Sequence, residues 1–327
     1  SIYTVEKRLP GALKNTSSYT ADIDSADLFY VPLRTYCSHN IHELNNQVDD
    51  ALRQISPLGK WHESPEKHVF TFSADHGFCG FSPGDLPVAA LNASIILSSY
   101  GLSEAEPRHF NPYGLDDYAG RVAPCFRRGQ DIVIPYNEIT SKNLLGSSCS
   151  EYPKPNDAPL LFFAGSDGIH SHRGIHYSRG VRQTVFKLWA NDERFNIHQR
   201  DLEDAFNQAH FCLAPAGGGF GNRQKKALLH GCVPLIVDPM ALTFEEFINY
   251  DEFAVMIEFR KLHRLKHILE HHVGDQKRMA ARGQAACRAR KYFVWPWNHP
   301  DGEALDVLIK ILEKRCSKRN AYNLPSD

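Results

Sequence analysis

The amino-acid sequence predicts an α/β protein of two Rossmann-type lobes, each built on a parallel sheet. Strand-like apolar runs alternate with helix-like patterns along the chain, which is typical of parallel sheets flanked by helices. A chain of 327 residues with 42% apolar content can bury a large core, and this length suits two domains better than one. Residues 135–159 are polar and irregular, with prolines at 153, 155 and 159, and form the best linker candidate. We therefore expect one lobe over residues 1–150 and a second over residues 151–327.

The first lobe is predicted from short apolar runs. The run at 28–32 lies between acidic residues and a proline and indicates a buried parallel strand. A helix-like pattern follows at 42–55, and the next strand, 68–72, leads into the polar turn Ser73–Gly77. Because this turn follows the carboxyl end of a strand, where α/β enzymes usually place their chemistry, it is a candidate catalytic segment. The alternation continues at 90–97 and 131–135.

The second lobe shows the same alternation. A buried strand is predicted at 160–165 and a helix at 181–189. Later elements are a helix that begins at 243–247, a strand at 253–257 and a helix at 262–271. The last helix carries an i, i+3, i+4, i+7 apolar stripe, which indicates core packing rather than a cofactor site. The stripe consists of Leu305, Leu308, Ile309 and Leu312.

The most informative stretch joins a strand at 211–214, a glycine loop, a helix at 223–230 and a strand at 233–237. Its glycines allow positive φ and bring bare backbone close to a ligand. Arg223 follows the loop in the first turn of the helix, where unpaired backbone N–H groups, the helix dipole and the guanidinium fork all favour a diphosphate. Gly231 is predicted to end the helix. The loop glycines are Gly217, Gly218, Gly219 and Gly221.

The alternative reading of this loop is a tight strand-to-helix connection that binds nothing. Four glycines exceed what a turn needs, which favours a ligand. A nucleoside-triphosphate P-loop is excluded, because it would need Gly-Lys followed by Ser or Thr, whereas this loop continues Gly221, Asn222, Arg223.

Charge and cysteine usage narrow the possible partners. Lys and Arg total 37 against 38 Asp and Glu, so nothing in the net charge of −1 attracts nucleic acid or an anionic membrane, and we expect no nucleic-acid partner.

Eight cysteines lack a C-x-x-C pair, which argues against a zinc ribbon and leaves both disulfides and buried thiols open. Two glycosylation sequons, at Asn15 and Asn92, favour an oxidising, lumenal setting. No window approaches a membrane span, so a membrane anchor would have to lie in a segment not present in this chain.

Several motifs, in a fixed order, resemble the exostosin family of glycosyltransferases, particularly its plant and algal branch. The decisive one is FCLAPAGGGFGNRQ followed by GCVPLIV and Phe244-Glu245, at 211–245. The others are DSADLFYVP at 24–32, DIVIP at 131–135, LFFAG at 161–165 and YSRGVRQ at 177–183. Together they span most of the chain.

The resemblance implies an inverting enzyme that moves a sugar from a nucleotide, normally UDP, onto a hydroxyl of a glycan or glycoprotein in the Golgi lumen. It implies a GT-B-like fold, with two lobes that face each other across a central cleft. The second lobe would hold the UDP-sugar and the first would hold the acceptor. It also implies a disulfide between Cys212 and Cys232. No cofactor or bound metal is expected, since GT-B enzymes do not require one for the leaving group.

The donor-binding residues are predicted from the glycine loop and its neighbours. Arg223 is the first choice for the diphosphate and Arg182 the second, while an ordinary surface or helix-capping arginine is the alternative for both. Glu245 would suit a ribose or sugar hydroxyl, or it is simply a charge at the start of a helix.

Inversion also needs a base that takes the proton of the acceptor. Asp75 is the first choice, with His76 behind it, because both lie in the first lobe at the end of a strand. The alternative is that Asp75 only forms the turn. The loop that contains His170, His172 and His176 lacks a carboxylate partner, so it is interpreted as a solvated loop rather than a metal site. The run of five basic residues from 278 to 291 is interpreted as a solvated helix face.

Two departures from the family pattern favour a second hypothesis. Many relatives carry Glu in the pattern R-x-x-E-A, where this chain has Lys226-Ala227. The family's opening strand is also missing before Tyr3, so either the chain is incomplete or the first lobe is trimmed. The alternative function is a catalytically silent exostosin-like domain that serves as a binding or structural part of a larger assembly.

Overall fold

The structure is a computed structural model. It describes residues 4–35, 41–74, 77–80, 89–102, 125–137, 145, 152–167, 177–198, 206–216, 221–237 and 241–322. No helix within these ranges is both long and apolar enough to cross a membrane.

The first lobe contains a four-stranded parallel sheet in the order β1-β2-β3-β4. The predicted strands at 68–72 and 131–135 are confirmed, and β2 is buried along its whole length, as expected of a parallel strand that is covered on both faces. The strand within 90–97 is shorter than predicted and begins at Ile95. The elements are α1 (Val5–Lys14), β1 (Phe29–Val31), α2 (Ile41–Ile55), α3 (Lys60–Glu63), β2 (His68–Phe72), β3 (Ile95–Ser98) and β4 (Ile132–Val133).

The second lobe contains a five-stranded parallel sheet in the order β6-β5-β7-β8-β9. Its predicted strands and helices are present except for the helix predicted to begin at 243–247, and a strand, β6, is present that the sequence patterns did not reveal. The elements are β5 (Leu161–Ala164), α4 (Val181–Trp189), β6 (Phe195–His198), β7 (Phe211–Leu213), α5 (Arg223–Leu229), β8 (Val233–Val237), β9 (Val255–Ile257), α6 (Leu265–Gly274), α7 (Gln276–Ala289) and α8 (Ala304–Tyr322). The α/β architecture with two parallel sheets, which is GT-B-like, is therefore confirmed.

The C-terminal part of the chain packs against the first lobe. Trp295 is fully buried, and its indole N–H donates to the carbonyl of Pro135 at 2.8 Å. One hydrophobic cluster joins Val69 and Leu97 of the first sheet to Trp295 and to Leu308 of α8. The apolar stripe predicted on the last helix therefore packs in a core that the two lobes share. The proposed boundary near residue 150 stays a prediction.

Two interpretations of the second lobe are wrong. Residues 243–247 form turns instead of a helix, because Phe244 has a left-handed backbone with φ 52°. The basic run at 278–291 is not simply a solvated face, since Arg282 and Arg290 are buried and donate to the carbonyls of Ala254 and Leu145. Each guanidinium satisfies a backbone acceptor that is remote in the sequence, which local charge patterning cannot reveal.

Buried histidines make the stability depend on pH. Burial is the main reason why the pKa values of His68, His210 and His272 lie below the usual 6.5. Because these pKa values are lower in the folded state, the histidines of the unfolded chain bind protons first as the pH falls. The contribution of the neutral histidines to stability is therefore present above about pH 6.5 and is lost as the pH falls through the folded-state pKa values. We expect the free energy of unfolding to decrease from about pH 7.5 to about pH 5.5, and His272→Gln to flatten this slope. Urea unfolding at several pH values measures the free energy of unfolding, and a value that does not change with pH in the wild type would contradict the prediction.

Candidate functional site

The carboxyl ends of the two sheets meet at a cleft between the lobes. Segments that follow β3 and β4 line one wall, and segments that follow β7 and β8 line the other. The described residues enclose only about 60 Å³. This volume is below the range of about 300–1,000 Å³ of a typical ligand pocket. The lining includes Ser99, Tyr136, Arg179, Ala216, Gly221 and Lys225.

Two arginines from the second lobe converge beside β5. Arg182 lies in the first turn of α4 and Arg223 begins α5, and the two residues are only 4% and 7% exposed. Their guanidinium carbons lie 5.4 and 6.0 Å from the ring centre of Phe163. The shared ring brings both side chains to the end of β5, where Gly165 leaves room for them. The sequence-predicted Arg182 and Arg223 are thus brought together, and neither is an exposed surface arginine.

Arg182 also forms a hydrogen bond to the residue that precedes the glycine loop. Its guanidinium donates to the carbonyls of Ser166 at 3.1 Å and of Ala216 at 3.2 Å. Ala216 is the residue before Gly217, Gly218 and Gly219, which lie outside the described residues. At Gly221, a Cβ atom would lie 2.7 Å from the carbonyl oxygen of Pro215, so only glycine brings the two ends of the loop this close.

A substitution at Gly165 can test the packing of the two guanidinium groups. A Cβ atom there would lie 2.8 Å from Nη2 of Arg223 and 3.3 Å from Nη1 of Arg182, and the residue has φ 156°. We expect Gly165→Ala to displace both side chains and to weaken the binding of an anionic ligand by about tenfold or more, which is the size of one charge-assisted hydrogen bond. Calorimetric titration with UDP measures it. Gly129→Ala, where a Cβ atom meets nothing within 4 Å and φ is also positive, is the control for backbone strain. Equal affinities in both variants would contradict the prediction.

The helix after the glycine loop is short and is fixed at both ends. α5 has seven residues, so its dipole contributes less than the two guanidinium groups. Gly231 follows it with φ 67°, the left-handed conformation predicted for the helix end. The disulfide implied between Cys212 and Cys232 is present, and it joins β7 to the residue before β8. A second disulfide joins Cys79 and Cys125.

Glu245 lies at a contact between the lobes. Its carboxylate pairs with Arg128 of the first lobe and accepts the backbone N–H of Leu242 at 2.9 Å. Leu242 and Thr243 line the cleft, so Glu245 supports the cleft wall. Its predicted role with a ribose or sugar hydroxyl stays a prediction.

Two buried charged residues of the cleft region were missed by sequence reasoning. Lys225 is 2% exposed and lines the cleft, and its ammonium donates to the carbonyl of Tyr136 at 3.0 Å. The hydroxyl of Tyr136 donates in turn to the carbonyl of Asn222, directly before α5. Nothing in the sequence distinguishes Lys225 from its neighbour Lys226, because the difference is made by the opposite lobe.

The other missed residue is Glu6, in the first turn of α1. It is 1% exposed, and one carboxylate oxygen accepts the backbone N–H of Ser73 at 2.7 Å and the hydroxyl of Thr35 at 2.6 Å. It thereby joins the ends of β1 and β2 at the edge that faces the cleft. The predicted base Asp75 and its neighbour His76 follow Ser73 by two and three residues but lie outside the described residues.

Other predicted positions are placed as follows. The side chains of Asn15 and Asn92 are exposed, as glycosylation requires. Among the described residues, no cluster of three or more His, Cys, Asp or Glu could hold a metal ion. The loop with His170, His172 and His176 lies outside those residues.

Comparison with known proteins gives the following relatives. The Exostosin GT47 domain model matches residues 1–272. A probable glucuronoxylan glucuronosyltransferase of Arabidopsis thaliana is 24% identical over 295 residues, which covers 83% of this chain and 58% of that protein. A probable glucuronosyltransferase of Oryza sativa subsp. japonica is 29% identical over 96% of this chain and 75% of its own length. A probable beta-1,4-xylosyltransferase of Arabidopsis thaliana is 22% identical over 94% of this chain and 74% of its own length.

Similar solved structures are more distant. Sucrose-phosphate synthase from Thermosynechococcus elongatus has 12% sequence identity and a TM-score of 0.41, over 84% of this chain and 78% of that one. Anabaena HepE in complex with UDP-glucose has 13% identity and a TM-score of 0.38, over 85% and 82% of the two chains.

Proposed function

Because the chain belongs to the exostosin GT47 family, we propose that it is an inverting glycosyltransferase that transfers a sugar from a UDP-sugar to a hydroxyl of a glycan or glycoprotein. The observation that carries this proposal is the pair of buried guanidinium groups of Arg182 and Arg223 beside Gly165, at the entry to the glycine loop. The named curated relatives are glucuronosyltransferases and a xylosyltransferase. The Golgi lumen or another part of the secretory pathway is the location we propose with it, and the Cys79–Cys125 and Cys212–Cys232 disulfides fit that oxidising setting.

The diphosphate of the donor fits between the two arginines. Guanidinium groups that both lie close to Gly165 repel each other, and a doubly negative ligand offsets this repulsion. Each fork can donate two parallel hydrogen bonds to phosphate oxygens. The loop residues Gly217, Gly218, Gly219 and Gly221 would then offer backbone N–H groups to the same ligand, and Glu245 would accept a hydroxyl of the ribose or sugar.

The reaction places a different requirement on each lobe. In the transition state, positive charge develops at the anomeric carbon and negative charge on the leaving UDP, which the two guanidinium groups stabilise. The bond from the anomeric carbon to UDP breaks as the acceptor oxygen attacks from the opposite side. The acceptor proton passes to a base of the first lobe, for which we propose Asp75, supported by His76. We propose that the guanidinium charges supply what a metal would otherwise supply, so that transfer continues in the presence of EDTA.

A catalytically silent domain is the second candidate. The narrow cleft of about 60 Å³ and the replacement of the family's Glu by Lys226 favour it. A silent scaffold that binds other proteins has no need for a nucleotide pocket, and this difference makes the two functions separable.

Calorimetry with UDP, with ADP as the matched control, is the experiment that tests the proposal. The expected result is binding of UDP and weaker binding of ADP. A panel of UDP-glucuronate, UDP-xylose, UDP-galactose and UDP-arabinose, assayed for release of UDP, then identifies the donor. Absence of UDP binding would refute donor recognition and favour the silent domain, while UDP binding without release from any donor, with candidate acceptors present, would refute transfer from these donors.

A further inference from the structure

A second cavity lies on the other side of the cleft wall, and we name it the C-terminal groove. Its described walls include Phe247, Asn249, Glu252, Arg288, Tyr292 and Asp301. Two chain segments separate it from the cleft, since Thr243 and Phe293 line the cleft while Phe247 and Tyr292 line the groove. Its volume is about 610 Å³, against about 60 Å³ for the cleft. The groove therefore lies within the range of about 300–1,000 Å³ that is typical of ligand sites.

An exposed aromatic corner forms one part of the groove. The side chain of Phe247 is 40% exposed, and its ring meets that of Tyr292 edge to face at 5.7 Å. The ammonium groups of Lys310 and Lys291 lie 5.8 and 5.4 Å from the centres of these two rings. The rings are thus held in a fixed orientation with part of their apolar surface open to a ligand.

The fold itself keeps Phe247 outside the core. The turn that begins with the left-handed Phe244 buries that residue and closes with a hydrogen bond from the N–H of Phe247 to the carbonyl of Phe244 at 2.8 Å. Phe247 projects from this rigid turn. An exposed hydrophobic side chain that is surrounded by polar groups indicates a binding site.

Polar groups of both signs surround the aromatic corner. Asn249 donates to the carboxylate of Glu252 at 3.1 Å, and the exposed Arg288 and Asp301 lie in the same walls. Carboxylate, amide and guanidinium groups can accept from and donate to hydroxyls in alternation. Arg288, Arg290 and Lys291 in these walls are balanced by Glu252, Asp301 and Glu303, the partner of Lys291. No excess of positive charge therefore favours a polyanion, and the open rings favour a ligand with an apolar face.

We propose that the C-terminal groove binds a neutral segment of a glycan chain. A pyranose ring presents an apolar face of C–H groups to an aromatic ring and hydroxyls at its edge to polar side chains, which is the chemistry that this groove offers. The site is separate from the cleft, and its occupancy does not depend on the transfer reaction. A long glycan held there raises the effective concentration of the remainder of the chain near the protein.

The proposal is tested on the full chain by affinity electrophoresis in gels that contain neutral xylan or a soluble β-glucan. Calorimetry with xylohexaose and cellohexaose then gives the affinities. We expect the wild type to be retarded by at least one of the two polymers, and Phe247→Ala or Arg288→Ala to bind the matching oligosaccharide about tenfold more weakly. Leu188→Ala and Arg278→Ala are the matched controls, because these residues are exposed but lie outside the groove. Arg223→Ala is expected to keep glycan binding while it loses UDP.

Three results would overturn the proposal. They are a wild type that neither polymer retards, groove variants that bind the oligosaccharides as the wild type does, and controls that lose as much affinity as the groove variants. Circular dichroism and the melting temperature of each variant separate loss of binding from loss of folding. Binding of an unrelated peptide library at the groove, with no glycan binding, would identify a protein-docking surface instead and would equally refute the glycan assignment.

Discussion

Replacement of Arg223 by alanine is expected to lower kcat/KM for the UDP-sugar by about 100-fold, the effect of removing one preorganised, charged donor to the leaving group. The side chain is 7% exposed and lies against the ring of Phe163 beside Gly165, so water replaces it poorly. Arg182 can compensate only in part, because two of its N–H groups already donate to the carbonyls of Ser166 and Ala216. Steady-state kinetics and the Kd for UDP by calorimetry measure the effect.

Two variants make this result specific. Arg223→Lys keeps the charge but loses the planar fork, so it should recover only part of the activity. Arg194→Ala removes an arginine at the opposite edge of the same sheet, where its guanidinium donates to the carbonyls of Asn156 and Ala158, and it should leave the Kd for UDP unchanged. If Arg223→Ala bound UDP as tightly as the wild type, the diphosphate assignment would be wrong.

Removal of the Cys212–Cys232 disulfide is expected to lower both the stability of the protein and its affinity for UDP. The bond closes a loop across 20 residues and both cysteines are 0% exposed. We expect the double variant Cys212→Ala, Cys232→Ala to lose about 3 kcal/mol in the free energy of unfolding. It should also bind UDP more weakly, because the closed loop contains the glycines, Arg223 and α5. Denaturant unfolding and calorimetry measure the two effects.

The Cys79–Cys125 disulfide provides the comparison. It lies in the first lobe with a separation of 46 residues. Its removal should also destabilise the protein, since chain entropy rises with loop length, but it should change the Kd for UDP less than removal of the other bond. Equal losses of UDP affinity in both double variants would mean that the disulfide around the glycine loop acts only through global stability.

Much of the fold could be predicted because buried parallel strands have a simple sequence pattern. β2 and β8 are five-residue, mainly apolar segments that are buried throughout, and the order of such segments predicts the sheets. Arg182 and Arg223 could be found because each lies at the start of the helix that follows a strand of the parallel sheet, so topology brings them to one edge.

The contacts between distant segments could not be predicted. Lys225 is buried because Tyr136 lies opposite it, and Glu6 because Ser73 and Thr35 surround it. Each contact joins residues that are far apart in sequence, whereas periodicity reports only local environment. The turn at Phe244 was missed for a related reason, since its left-handed backbone is held by an N–H bond to the carbonyl of Val133 in the other lobe.

The order in which the chain leaves the ribosome conflicts with the way its parts are packed. Val69 and Leu97 are made early, but the cluster that encloses them includes Trp295 and Leu308 of the C-terminal region. Domains generally fold as units during synthesis, the N-terminal one first. Here the strands made first keep apolar surface uncovered until α8 has emerged, so the first lobe completes its core only after the second lobe has been synthesised.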